Sequence, residues 1–181
     1  MATYKLVLIS RPTGTDPDDV ERVKSLMELD CSVPMEVATA ADRFVFSCSI
    51  EPQLYRTVAT RAIKELEYVE GISIESADTC SILSISDISE VTGVHRATLS
   101  RYAAGQRGPG GFPAPVYKGA TQSPVYEFHA VAEWLFARQV VDYSIVELAA
   151  AARDVSEALR YRQLSPAQRD TISELAKELS K

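Results

Sequence analysis

From Val91 to Tyr126 this chain carries no Asp or Glu. Within that window RGPGGFPAP, residues 107–115, puts three glycines and three prolines into nine positions. Proline removes a backbone donor and glycine loses the most entropy on ordering, so 107–115 must be a loop between regular elements. On its N-terminal side Ser84 caps a first helix, with Asp87 three residues on, and Ile85, Ile88 and Val91 face inward. Gly93 stands where a tight turn needs positive φ, and Val94 plugs the two-helix core. His95 falls at the N-cap of a second helix that buries Leu99 and Tyr102 and ends at Gly105. On the loop's C-terminal side Pro115–Lys118 and Pro124–Phe128 can pair as a hairpin. His129 then sits at the N-cap of a closing helix bearing Val131, Trp134 and Leu135. Helix, turn, helix and a two-stranded wing is the order by which a winged helix-turn-helix lays its second helix in the major groove of DNA.

Charge points the same way. The chain has 25 acids against 19 Lys and Arg, a net −6, so about five acids are expected in a window of this size. The window instead holds Arg96, Arg101, Arg107 and Lys118, a local +4. An acidic protein that clears one surface of carboxylates suits a phosphate backbone, and its net charge argues against indiscriminate nucleic-acid coating. The open face of the second helix, about His95–Ala104, presents His95, Arg96, Ala97, Ser100 and Arg101. Arginine's planar fork matches guanine O6/N7 as well as phosphate. Arg107 and Lys118 are the loop's candidates for backbone contacts, which position without reading sequence. Two arginines on a surface helix can also be plain solvated charges; the motif around them favours DNA. Phe112 reads as a pin between wing and core.

The flanking regions divide the chain into 1–80, 81–137 and 138–181. The first is read as an α+β domain of order βαββαβ. It comprises a central strand Tyr4–Ile9 and a helix begun at Asp16-Pro17, with Asp19 in capping-box position and Val20, Val23, Leu26 and Met27 at helical spacing. A strand Val33–Thr39 turns at Ala41-Asp42-Arg43 into an alternating strand through Phe44, Phe46, Cys48 and Ile50. A helix with Val58, Ala62, Leu66 and Val69 on one stripe ends at Gly71, and a last strand starts at Ile72 and Ile74. That order suggests a ferredoxin-like sandwich serving as a sensing or dimerisation domain. The third region is helical. Its stripes, Ile145–Leu159 and, after a Ser165-Pro166 start, Ile172–Leu179, are expected to be covered by a second subunit in a homodimer.

Several classes are excluded. No apolar run nears the roughly 18 residues of a membrane span, and the first residues read as a strand rather than a signal peptide. Cys31, Cys48 and Cys80 are scattered, without C-x-x-C, so reduced packing thiols in a cytoplasmic protein are expected, with a redox sensor at Cys31 as the alternative. His95 and His129 read as caps, and Asp18 and Asp19 as helix-dipole partners. No metal, cofactor or catalytic motif is found, and the chain does not read as an enzyme.

The block SISDISEVTGVHRATLSRYAAGQRGPGGFPAPV, with SPVYEFHAVAEWL after it, resembles the MerR- and excisionase-like winged helix-turn-helix proteins. In particular it resembles an actinobacterial-type group with a GERGPGGFPAPV-like loop and an SPLWRWSEVAEWL-like wing. The YKLVL strand, the helix before Cys31 and AIKELEYVEGISI extend the likeness over about residues 3–137. The resemblance implies a transcriptional regulator that binds double-stranded DNA. It departs at His95, where the group has Ser, and at Glu127, where the wing often has Arg. Two alternatives stand beside the regulator: an excisionase-like protein that bends DNA, and a protein-interaction adaptor that has lost DNA contact, supported by Glu127 and the overall acidity. A small-molecule or protein effector would bind the N-terminal domain.

Overall fold

A computed structural model describes residues 4–11, 19–69, 71–77, 81–117 and 123–180. The chain is mixed α+β, and the described residues form two antiparallel sheets. The first comprises β1 (Tyr4–Ser10), β2 (Glu36–Ala40), β3 (Arg43–Ile50) and β4 (Ile74–Ala77) in the order β2-β3-β1-β4, with α1 (Asp19–Asp30) and α2 (Tyr55–Leu66) in the connections. β1 is central, as its near-continuous apolar run requires. Tyr4, Leu6, Leu8 and Ser10 are buried, and Tyr4 meets Tyr55 of α2 edge-on at 5.7 Å.

The elements keep to the predicted order, and their limits shift for identifiable reasons. β2 begins at Glu36 rather than Val33 because the Ser32 and Val33 amides donate to the Glu65 carboxylate at 2.8 and 3.3 Å instead of to a ladder. β4 begins at Ile74, since the Ile72 amide still closes the turn after α2 on Val69 O. Ala41 makes the β2–β3 turn with φ 55°. The predicted helix start at Asp16-Pro17, with Asp18, and Cys80 lie outside the described residues.

The second sheet pairs β5 (Ile82–Ser84) with β6 (Val125–Glu127), and Tyr117 bridges to Val125 on the other side of β6. The hairpin arms expected from Pro115 and Pro124 therefore meet, with Val116 N to Val125 O at 2.8 Å. β5 was not anticipated: only three residues long, it runs straight into the Ser84 cap and has no periodicity of its own. Among the described residues five further α-helices complete the fold: α3 (Ile85–Thr92), α4 (Arg96–Ala103), α5 (Phe128–Phe136), α6 (Tyr143–Gln163) and α7 (Pro166–Leu179).

Helix α6 corrects the expectation that its apolar stripe awaits a second subunit. Ile145, Leu148, Ala149, Ala152, Val155 and Leu159 are buried by the chain itself, against α2, β4 and α5. The Arg162 guanidinium clamps Glu67 at 2.9 and 2.6 Å and donates to Ile74 O at 2.8 Å, holding the helix along the edge of β4. Midway along α6, Asp154 pairs with Arg56 of α2. A 21-residue helix is about 30 Å long, enough to join both parts of the core. None of α7's side chains is buried. Among the described residues no helix is long and apolar enough to cross a membrane.

Candidate nucleic-acid interface

The geometry around residues 84–136 is set by local hydrogen bonds. α3 (Ile85–Thr92) starts in a reciprocal box, Asp87 N to Ser84 Oγ at 3.3 Å and Ser84 N to Asp87 Oδ2 at 3.0 Å. It stops at Gly93, whose φ of 69° a β-carbon would resist. Val94 is partly buried against the core, and His95 caps α4 (Arg96–Ala103) by accepting from Ala97 N on Nδ1 at 3.2 Å. Leu99 is fully buried and Tyr102 packs edge-on against Trp134 at 5.0 Å.

With those two residues inward, helical geometry sets the outer face of α4. Ala97, Ser100 and Ala104 occupy its middle, and Arg96 and Arg101 its two flanks. All five are exposed, as is His95. Small residues at the centre allow the backbone to come close to a flat or grooved partner, and the arginines then reach forward from either side. Arg96 and Ser100 also border a notch of about 300 Å³ shared with Ser84, Ser86, Ser123 and Pro124, which brings α4 beside the hairpin. Among the described residues no acid pairs with Arg96, Arg101 or Arg107.

The Gly/Pro loop is held in one shape. Phe112 meets Tyr126 at 5.5 Å and Trp134 at 5.2 Å, both edge-on, so it does pin the loop to the core. Trp134 Nε1 donates to Gly110 O at 3.3 Å. Gly108 has φ +78°, and a β-carbon there would lie 3.2 Å from the Tyr102 ring. The Arg138 guanidinium stacks 3.6 Å from the Trp134 ring centre and donates to Trp134 O at 2.9 Å and Gly110 O at 3.4 Å. Sequence reasoning missed Arg138; its signal was the four-residue spacing from Trp134, the distance at which helical side chains meet. Arg107 lies 5.7 Å over the Tyr102 ring, next to α4, with its side chain exposed. Lys118, the remaining candidate, lies outside the described residues.

Two expectations change here. Glu127, not His129, caps α5: its Oε2 accepts from Ala130 N at 2.8 Å, while Oε1 is buried. The carboxylate is thus turned into the start of a helix, where the dipole favours it, and does not face out along the wing. His129 instead lies in the first turn of α5 and meets α6, its Nδ1 3.4 Å from Arg153. Cys31 and Cys48 are the described cysteines, and both are partly buried. Burial pushes the Cys31 thiol up, helped by the Glu65 and Asp30 carboxylates, and burial alone raises Cys48. A thiol held protonated is a poor nucleophile, which disfavours a sensor at Cys31. Among the described residues no three His, Cys, Asp or Glu side chains gather as a metal site would require.

No protein-family model, curated protein or solved structure matches this chain.

Proposed function

We propose that this protein is a sequence-specific double-stranded DNA-binding regulator of transcription that works in the cytoplasm and has no catalytic role. α3, the Gly93 turn, α4 and the wing at about Pro115–Phe128 then form a winged helix-turn-helix, with α4 in the major groove and the wing along the neighbouring backbone. The observation that carries this reading is the outer face of α4: two exposed arginines, without an acid partner among the described residues, flanking a strip of Ala97, Ser100 and Ala104. Arg96 and Arg101 read base edges, Ala97 and Ser100 contact bases at close approach, and His95 closes the helix start. Arg107 and Lys118 hold the backbone.

The β2-β3-β1-β4 sheet is taken as a ferredoxin-like domain, and its groove of about 1190 Å³, lined by Val7, Met27, Val37 and Val45 among others, as the place for an effector. A homodimer is retained in the proposal, with its seam moved to α7. That helix is well capped by Ser165 and Gln168, yet it leaves Ile172, Leu175 and Leu179 exposed, and a 14-residue helix is marginal without packing. Two subunits would read two half-sites.

The deciding experiment is binding to genomic fragments at two salt concentrations. A few strong sites that persist at the higher salt support the regulator; uniform weak binding, or none, overturns it. Sedimentation of the full chain against one ending at Leu164 tests the seam. The full chain should be dimeric at tens of micromolar and the shortened one monomeric, and a monomeric full chain rules the dimer out.

A further inference from the structure

A second surface lies where the N-terminal sheet domain meets α5 and α6. The rings of Phe136 and Tyr143 pack against each other at 5.3 Å, yet remain 42% and 56% exposed. They form a ridge between two open grooves, of about 660 and 890 Å³, that share Pro52, Gln53, Phe136 and Tyr143 in their linings. One groove continues between α2, α5 and α6 over Thr57, Val146 and Ala150. The other continues past the end of α3 over Val91, Val140 and Val141. An aromatic pair left in water between two concave, partly apolar strips is how an anchoring surface for a polypeptide is built.

The rim has one sign. Glu133 and Glu147 border the first groove, Glu90 and Asp142 the second, and all four are exposed. Among the described residues Glu90, Asp142 and Glu147 have no ion-pair partner, and Glu133 has only the His129 ring at 3.8 Å. Arg56 is the one arginine or lysine in either lining, and Asp154 already pairs with it. Desolvating unpaired carboxylates is costly unless cations replace the water, so a neutral or acidic occupant is disfavoured. None of the residues assigned to DNA belongs to this surface, so both can be occupied together.

We infer that the Phe136–Tyr143 ridge and its two grooves dock a basic polypeptide segment, with large apolar side chains set against the ridge and Lys or Arg against the four carboxylates. The inference does not depend on the DNA reading.

The test is selection of displayed random dodecapeptides on the immobilised full-length chain, followed by anisotropy titration of the recovered sequences. Recovered peptides should carry net positive charge and at least one Leu, Phe, Tyr or Trp. Phe136→Ser with Tyr143→Ser should weaken the best peptide by about tenfold or more, as loss of a central anchor does. Glu133→Lys with Glu147→Lys should turn the selection toward acidic peptides. DNA affinity should be unchanged in the ridge variant, which separates failure here from failure of the proposed function. If the ridge variant melts early, the charge variant, altered only at exposed carboxylates, carries the test alone. No enrichment, neutral or acidic peptides from the parent, equal binding to a folded ridge variant, or a selection unmoved by charge reversal overturns the inference. So does a parent dimer that the ridge variant abolishes, because a second copy then occupies the surface.

Discussion

Two groups of arginines in this protein contrast. Along α6 and the sheet, Arg162 spends its fork on Glu67 and Ile74 O, Arg56 meets Asp154 and Arg43 meets Glu75. On α4 and the loop after it, Arg96, Arg101 and Arg107 are exposed and, among the described residues, meet no acid. The same side chain thus appears with its hydrogen-bonding capacity used inside the fold and with it held open. Arginine offers five donors in a rigid plane, and at Arg162, Arg56 and Arg43 the chain itself supplies carboxylates and carbonyls to match. Where it supplies none over a whole helix face, the matching acceptors are expected on another molecule. Residue type alone does not separate Arg162, Arg56 and Arg43 from Arg96, Arg101 and Arg107; their partners do.

The largest effect that could break this contrast is on DNA binding. Arg96→Ala with Arg101→Ala should lower affinity for the best site at least tenfold, each lost bidentate contact being worth about 1–3 kcal/mol of discrimination. Both side chains lie outside the core, so the melting temperature should hold. A double variant that binds its best site like the parent removes α4 as the reading helix.

Arg162→Ala should do the reverse. It strips two charged hydrogen bonds from Glu67 and one from Ile74 O, at roughly 1–2 kcal/mol once the partial exposure of the pair is allowed for. Denaturant unfolding should show that loss while the DNA affinity of the folded protein stays put. A fall in affinity under strongly native conditions would mean that scaffold and interface are not separable.

Arg107→Ala sharpens the contrast within the interface. As a backbone contact it should weaken all sequences alike and reduce the salt slope by about one unit, leaving base preference intact. A changed preferred base would move Arg107 into the reading group.

The smallest effect is electrostatic and lies wholly within the scaffold. The Ser32 hydroxyl, with the Ser32 and Val33 amides, holds the Glu65 carboxyl below the ordinary glutamate value of about 4.3. A carboxylate depressed on folding contributes stability above its unfolded value and loses it as pH falls through the folded one. Melting curves of the parent and Glu65→Gln should therefore differ at neutral pH and converge below about pH 4. Parallel curves across that range would show that the Ser32–Glu65 link carries no proton linkage.

Much of the helix-pair region was legible because its information is local. The Ser84–Asp87 box, the Gly93 stop, the His95 cap and the Ser165–Gln168 box each join residues at most four apart, so the deciding contacts lie within one reading window. The same holds for the exposure of Arg96 and Arg101, which follows from placing Leu99 and Tyr102 inward on a 3.6-residue period. Misreadings arose where two local answers were available. Glu127 and His129 can each cap a helix start, and the choice fell to Glu127 because β6 pairs with β5 through Glu127 and holds its backbone extended.

What tertiary structure alone decided is where the apolar surface and the charges of distant segments go. The stripe on α6 is the same pattern whether a subunit or a domain covers it. Only the meeting of Arg162 with Glu67, 95 residues away, and of Arg56 with Asp154, 98 residues away, shows that this chain covers it itself. The Trp134 and Arg138 hold on Gly110, 24 and 28 residues apart, likewise turns a loop fixed by composition into a loop of one shape. Composition and period specify each element because backbone hydrogen bonding and side-chain alternation are short-ranged. They are silent on which elements meet, because burial is non-directional and rewards any partner that excludes water.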